Sequence, residues 1–329
     1  MKAGKIDIGN LKELILDQIS TSNQDVLVRP KIGEDSAVID FGEFVAVMST
    51  DPITGVKEGM GNLAVNVACN DIAANGAKAI GIQQALLVPP STSEEEIIAI
   101  IKDINQAAQK LEIDILGGHT EVTDIVDKPL VVCTAIGKTT KEKYITSSGA
   151  KVGDDIVVTK WTGLEGTAIL ANDYYESLLN LGVSDELLQA GQALSQELSV
   201  MAEGLLSAEF GVSAMHDVTE GGLYGSVFEM SIAAECGFII EEDLVPLHKA
   251  TKAIAEKLEI NPYHLIGSGM MIITTACGQE LVKELKSEGI KATIIGKITK
   301  SDRIIKKEKE EIKLTNAPQD ELWRFLAEN

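Results

Sequence analysis

The sequence has no stretch near the ~20 apolar residues of a membrane span, and its first residues, MKAGKIDIGN, run straight into an amphipathic helix instead of a signal-peptide core. A cytoplasmic chain with no membrane partner is expected. Positive charge is scarce: 29 Lys and Arg stand against 50 Asp and Glu, a net charge of −21. Duplex nucleic acid, which is held by basic groups neutralising phosphates, is therefore excluded as a partner. A nucleotide is not excluded, provided magnesium screens its phosphates. The four cysteines, Cys69, Cys133, Cys236 and Cys277, form no CxxC pair, which argues against a zinc knuckle or a disulfide framework. Each lies in an apolar helix or strand, so buried, reduced thiols are expected. The phosphate-binding GxxxxGK[ST] loop is missing as well. Gly59-Met-Gly61-Asn-Leu-Ala64 fits GxGxxA formally, but it follows the Asp51-Pro52 loop and not a strand.

What is present is enough for two domains, since 329 residues exceed the ~100–200 of a usual single domain. The polar stretch between Gly137 and Asp155, with Ser147-Ser148-Gly149-Ala150, puts the boundary near residue 148, giving domains 1–148 and 149–329. Strands are expected at Ser36 to Asp40, Phe44 to Ser49, Ala79 to Val88, Ile113 to Leu116 and Leu130 to Ile136. Ser93 with Glu94 to Glu96 opens a helix that runs to Leu111. In the second half, strands at Ile156 to Lys160, Met270 to Ala276 and Ala292 to Ile298 alternate with helices at Asp185 to Ala190, Gln192 to Ala208, Leu223 to Ala234 and Gln279 to Ser287. Ser301 to Lys313 reads as a solvated hairpin. The mixture lacks the regular βαβ beat of a Rossmann sheet and indicates an α+β fold.

The most informative stretch is Leu63 to Ala79, LAVNVACNDIAANGAKA. At helical pitch Leu63, Ala64, Val67, Ala68 and Ile72 make an apolar face, while Asn62, Asn66 and Asn70 stand four apart. Asn75-Gly76 is a pair suited to ending the helix in a left-handed turn. Such a helix carries Asp71 into the protein; a solvated amide face with a surface acid is the other reading. Asp35 in IGEDSAVID and Asp51 in VMSTDPITG sit at strand edges, and Glu121 follows Gly117-Gly118 in ILGGHTEV. Acids delivered from loops beside strands suit a divalent metal with a polyphosphate. Gly117-Gly118 would let backbone approach a phosphate, and Gly163, Gly166 and Thr167 stand where a helix start offers free amides. Both are equally readable as tight turns. Asp217 and Glu220, in MHDVTEGG, either cap the next helix or, with His216 and the Gly221-Gly222 hinge, line a cleft. His119 and His216 are candidates for acid–base work because imidazole is the side chain that exchanges a proton near neutral pH, and a structural donor role is the alternative; His248 and His264 read as structural.

Taken in order, these motifs resemble the superfamily of aminoimidazole ribonucleotide synthase (PurM), selenophosphate synthetase, thiamine monophosphate kinase and the hydrogenase-maturation protein HypE. GEDSAV, STD, NVACNDIAANGAKA and GGHTEV are similar to its N-terminal motifs. GDDIVVTKWTGLEGTAILA and HDVTEGGLYGSVFEM are similar to the HypE branch. The resemblance covers nearly the whole chain. It implies an N-terminal α/β domain that forms a barrel across a homodimer, and a C-terminal α+β domain closing a cleft. It further implies ATP held without a P-loop and magnesium on Asp35, Asp51 and Asp71, with Asn70, Gly117, Gly118 and Thr120 near the nucleotide and Asp217 and Glu220 toward the substrate. Where several relatives carry an acid after the Gly-Gly pair this chain has His119, so Glu121 is the expected replacement, magnesium preferring oxygen. Selenophosphate synthetases share a Gly-Gly-His run but carry a reactive N-terminal Cys or selenocysteine, and no Cys precedes Cys69 here. HypE works through a Cys on a mobile C-terminal tail, whereas this sequence closes on ELWRFLAEN. The expectation is an ATP- and magnesium-dependent enzyme that activates an oxygen of a small substrate without the tail thiocyanate chemistry. The rivals are a small-molecule kinase like the thiamine monophosphate enzyme and a non-catalytic nucleotide-binding paralogue acting as a maturation partner.

Overall fold

Period-two burial along the chain builds the first layer. In β3 (Phe44–Ile53) Val45, Val47 and Ser49 turn inward, and the same alternation puts Asp51 on their face. The computed structural model describes residues 4–54, 56, 59–308 and 310–328. β1 (Val26–Val28), β2 (Ala37–Phe41), β4 (Lys78–Val88), β5 (Asp114–Val122) and β6 (Leu130–Thr140) join β3 in a sheet of order β1-β2-β3-β6-β4-β5, parallel at β4–β5. The second sheet has order β13-β12-β9-β11-β7-β10-β8. Its strands are β7 (Asp155–Thr159), β8 (Ala214–Asp217), β9 (Gly237–Glu241), β10 (Met271–Thr275), β11 (Ala292–Thr299), β12 (Arg303–Lys307) and β13 (Glu310–Lys313).

The helices are α1 (Ile8–Asn10), α2 (Met60–Ala74), α3 (Glu94–Lys110), α4 (Leu164–Asp173), α5 (Tyr175–Asn180), α6 (Asp185–Ala193), α7 (Met201–Phe210), α8 (Gly222–Ala233), α9 (Lys249–Leu258), α10 (Gly278–Ser287) and α11 (Glu321–Glu328). Among the described residues none is long and apolar enough to cross a membrane. α3 starts on a reciprocal cap: Glu96 N–H donates to Ser93 Oγ, and Ser93 N–H to Glu96 Oε2.

α2 is the hub. It ends at Asn75 with Gly76 left-handed (φ 67°), as the Asn-Gly pair predicts, and nearly every residue in it is buried. One side packs on the first sheet and α3, the other on the C-terminal half, where Leu164, Ala168, Leu194 and Leu198 share its core. The asparagine row is largely turned into protein, with Asn66 and Asn70 buried and Asn62 half-buried. Asn62 Nδ2 donates to Ser195 O at 3.1 Å, Asn70 Nδ2 to Leu198 O at 2.9 Å, and Val200 N–H donates to Asn70 Oδ1 at 2.9 Å.

These bonds explain one departure from the sequence reading. The helix expected over 192–208 is broken between α6 and α7, because the carbonyls of Ser195 and Leu198 go to asparagines of α2. A second departure is GGHTEV, expected as a loop, which continues β5. Leu116 is the extra residue of a bulge between the pairs Ile82–Ile115 and Gln83–Gly117. Gly118 (φ 154°) then lies so close to β4 that an added Cβ would stand 2.0 Å from Gln84 O. β1, β8 and β9 were not anticipated; β8 is four fully buried residues with no alternation to reveal it. Cys277 also departs from expectation: it is exposed before α10, while the other three cysteines are buried.

Candidate active site

Asp35 precedes β2, Asp51 lies on β3, Asp71 on the last full turn of α2, and Asp217 closes β8. They meet where the two halves of the chain face each other. Ser49, two residues before Asp51 and hence on the same strand face, ties them together. Its hydroxyl lies against Asp71 Oδ2 and within 3.2 Å of Asp51 Oδ2 and 3.3 Å of Asp35 O, and donates its single proton to one of them at a time. Ligand atoms of Asp35, His216 and Asp217 lie within 4.8 Å of one another.

This concentration of negative charge shows in the protonation. Burial first, then the charges of Asp35 and Glu220, push Asp51 up to about 6, against the relief given by Asp71 and Ser49. Burial likewise carries Asp217 to about 6, with His216 opposing and Asp35 and Asp51 adding. Asp71 is raised well above the usual carboxylate range by burial and by Asp51, Asp217 and Asp35. Both Asp217 oxygens are buried and have no hydrogen-bond partner among the described residues. Crowded hard oxygen donors with open lone pairs fit a magnesium ion.

A charged relay backs the acids. Lys5 Nζ lies 3.1 Å from Glu229 Oε2, which stands 3.6 Å from His216 Nε2; His216 Nδ1 is 3.6 Å from Asp35 Oδ2. Burial alone would lower His216, but the Glu229 carboxylate and the charge of Asp35 carry it to about 9, so it is cationic at neutral pH. Glu229, which burial would raise, is pulled down to about 2 by Lys5 and His216. Gly33 lets the Asp35 loop sit on α8, since a Cβ there would be 2.7 Å from Glu229 O. Half-buried Glu220 connects the cluster to a second acidic group. Its charge reaches Asp51, Glu165, which burial raises to about 8, and Asp320, which burial raises to about 7.

The other sequence candidates are placed differently. Asn70 is fully buried with both amide atoms spent on Leu198 and Val200, so it fastens the two halves together. The first turn of α4 is covered. Gly166 N–H donates to Ile266 O, an added Cβ on Gly166 would meet Leu265 at 2.5 Å, and Thr167 Oγ1 bonds Gly163 O and Thr251 Oγ1. Gly163, Gly166 and Thr167 are thus packing residues in place of the open amide cradle expected. Gly117, Gly118, His119, Thr120 and Glu121 lie on the exposed edge strand β5. Register places Asp51 opposite Cys133, Cys133 opposite Gln84 and Gln84 opposite Gly118, three strand steps or roughly 14 Å away. His119 and Glu121 are 3.4 Å apart and more than half exposed, and within one chain they do not join the aspartates.

Sequence reasoning missed Ser49, Lys5, Glu229, Glu165 and Asp320. Ser49 was legible by strand period; Lys5 and Glu229 are 224 residues apart and carried no such signal.

Residues 33–139 match the AIR synthase related protein N-terminal domain, and residues 151–307 match its C-terminal domain. A Methanocaldococcus jannaschii protein named for hydrogenase expression/formation is 28% identical over 307 residues, covering 89% of each chain. Carbamoyl dehydratase HypE of Bradyrhizobium diazoefficiens is 24% identical over 251 residues, covering 74% of this chain and 70% of its own. Among solved structures, a HypE–HypF complex matches with TM-score 0.77 at 21% identity, covering 93% of this chain and 99% of the other. A ThiL complexed with AMPPCP and TMP matches with TM-score 0.74 at 17% identity, covering 94% and 96%. HypE in complex with ATP matches with TM-score 0.67 at 17% identity, covering 97% and 94%. With both domains matched in order, and the acids of the N-terminal motifs meeting the acid of the C-terminal one, this two-domain PurM-like chain belongs to the AIR synthase related family.

Proposed function

We propose that the chain is a HypE-like enzyme that uses ATP and magnesium to activate an oxygen of a small substrate or carbamoyl-type group by phosphorylation. The observation that carries this reading is the convergence of Asp35, Asp51, Asp71 and Asp217, with open oxygen lone pairs, where the two halves of the chain face each other. The relatives named HypE and the ATP-bound HypE fold neighbour support it. Asp35, Asp51 and Asp71 would hold magnesium, which when bound neutralises charge on the transferring phosphoryl group. Asp217 and Glu220 face the substrate. His216, protonated at neutral pH, holds Asp35 in place and is an acid, not a base, at the start of a cycle.

The reading includes a homodimer. β5 is a nine-residue edge strand exposed along nearly its whole length, with Leu116 48% and Val122 63% exposed. Such an edge is a template for pairing, and a second copy on it would complete the family barrel. That is the route by which Glu121, with His119, would join a metal cluster, on the other copy. A maturation factor is the partner class suggested by the HypE–HypF structure.

The test is calorimetric titration with ATP and magnesium, followed by phosphate release against carbamoyl-type acceptors. Release of ADP and phosphate with a dehydrated product supports the reading. A phosphorylated product with ADP moves the chain to the kinase reading favoured by the ThiL likeness, and binding without turnover moves it to a nucleotide-binding paralogue.

A further inference from the structure

We propose that a cavity around Trp161, separate from the aspartate cluster, binds a small phosphate-bearing anion. The chain has 29 basic residues against 50 acidic ones and only two tryptophans. Yet a cavity of about 350 Å³ is lined by Lys160, Trp161, Pro246, Lys286 and Lys291 together. That volume is in the range of small-molecule sites, ~300–1,000 Å³.

The basic groups differ in how they are held. Lys160 is neutralised, its Nζ 2.7 Å from Glu203 and within reach of the carbonyls of Glu197 and Ser199. Its backbone lies in the left-handed region (φ 53°), a conformation a side-chain-bearing residue keeps only where its surroundings impose it. Its N–H donates to Lys291 O, which fixes the Lys291 backbone beside the cavity. The Lys291 ammonium then lies 4.2 Å from the centroid of the Trp161 ring, and Trp161 is held edge-on by His248 at 5.3 Å. Among the described residues neither Lys286 nor Lys291 has a carboxylate within ion-pair distance, whereas Lys160, Lys297, Lys306 and Lys307 do. The ring faces one ammonium, that of Lys291, which no acid among the described residues pairs. Two lysines lining one cavity, one with its ammonium aimed by an aromatic ring, suit a dianionic phosphate better than a monoanion.

The site stands apart from the acids. Ala292 is opposite Thr159, Val158 opposite Ile272 and Met271 opposite Asp217, so three strand steps, roughly 14 Å, separate the end of β11 from Asp217.

The probe is inorganic phosphate, titrated with EDTA present so that no metal draws it to the aspartates. In a Trp323→Phe background Trp161 is the sole tryptophan reporter; 31P line broadening on the unaltered chain reads the same contact without that substitution. A saturable emission change, absent with sodium chloride at equal ionic strength and weakened at least tenfold by Lys286→Met with Lys291→Met, is expected. Lys291→Arg should retain it. An equal response to chloride, or unchanged titration and line broadening in the double variant with native circular dichroism, overturns the proposal.

Discussion

Asp71 is surrounded by like charge, and the hydrogen bond it accepts from Ser49 an amide oxygen could accept as well, so its carboxylate has a cost in the fold and a use only when a cation is present. Asp71→Asn should therefore keep or raise the melting temperature while cutting magnesium-dependent phosphate release by at least ~100-fold, the upper end for residues that merely support a metal ligand. Full release in that variant removes Asp71 from the site. The pH dependence follows from the same crowding. Asp51 and Asp217 have folded pKa values of about 6, above the ordinary 3.8, so the folded chain holds extra protons between about pH 4 and 6 and loses stability as pH rises through that window. A bound cation reverses the loss. The gain in melting temperature on adding magnesium should accordingly be larger at pH 7 than at pH 5, and equal gains measured by scanning fluorimetry would count against a metal at these acids. At this scale the aspartates were legible because each is embedded in a short apolar motif, and Ser49 because strand period two fixes its face. Lys5 and Glu229 were not, since long-range ion pairing leaves no local pattern.

At the scale of elements, α2 decides how the two halves sit. The small residues that make it look merely buried are what allow close approach: a Cβ on Gly204 of α7 would stand 2.3 Å from Ala73 O. Gly204→Ala should push the helices apart and cost about 1–3 kcal/mol in chemical denaturation. Asn70→Ala should cost about 2–4 kcal/mol, because Leu198 O and Val200 N–H would both be left buried without partners. Loss of under 0.5 kcal/mol in either variant would mean that the junction relaxes freely. Helical periodicity, the Ser93 cap and the Asn-Gly stop were readable in the chain, and each acts within a few residues. The bulge at Leu116 and the break before Met201 were not, because a neighbouring strand imposes the first and distant asparagines the second.

For the molecule as a whole, the exposed β5 edge sets an expectation for assembly. Light scattering should give twice 35.2 kDa, with association favoured by salt because each copy carries a net −21. Leu116→Lys with Val122→Lys should yield a folded monomer that has lost turnover, and an unchanged dimer would assign the interface elsewhere. The two-domain architecture was legible through the order of motifs along the chain. The separation of His119 and Glu121 from the aspartates was not, because it is set by three strand steps across the sheet that no local pattern records.

Cys277 at the head of α10, the one exposed thiol of the four, gives the unmodified sequence a practical property. Burial raises Cys69, Cys133 and Cys236 above the usual thiol range, so a maleimide spin label should attach at one position without any engineering. In a symmetric pair of copies that one attachment yields one interlabel distance, and its narrowing on adding nucleotide would read domain closure directly.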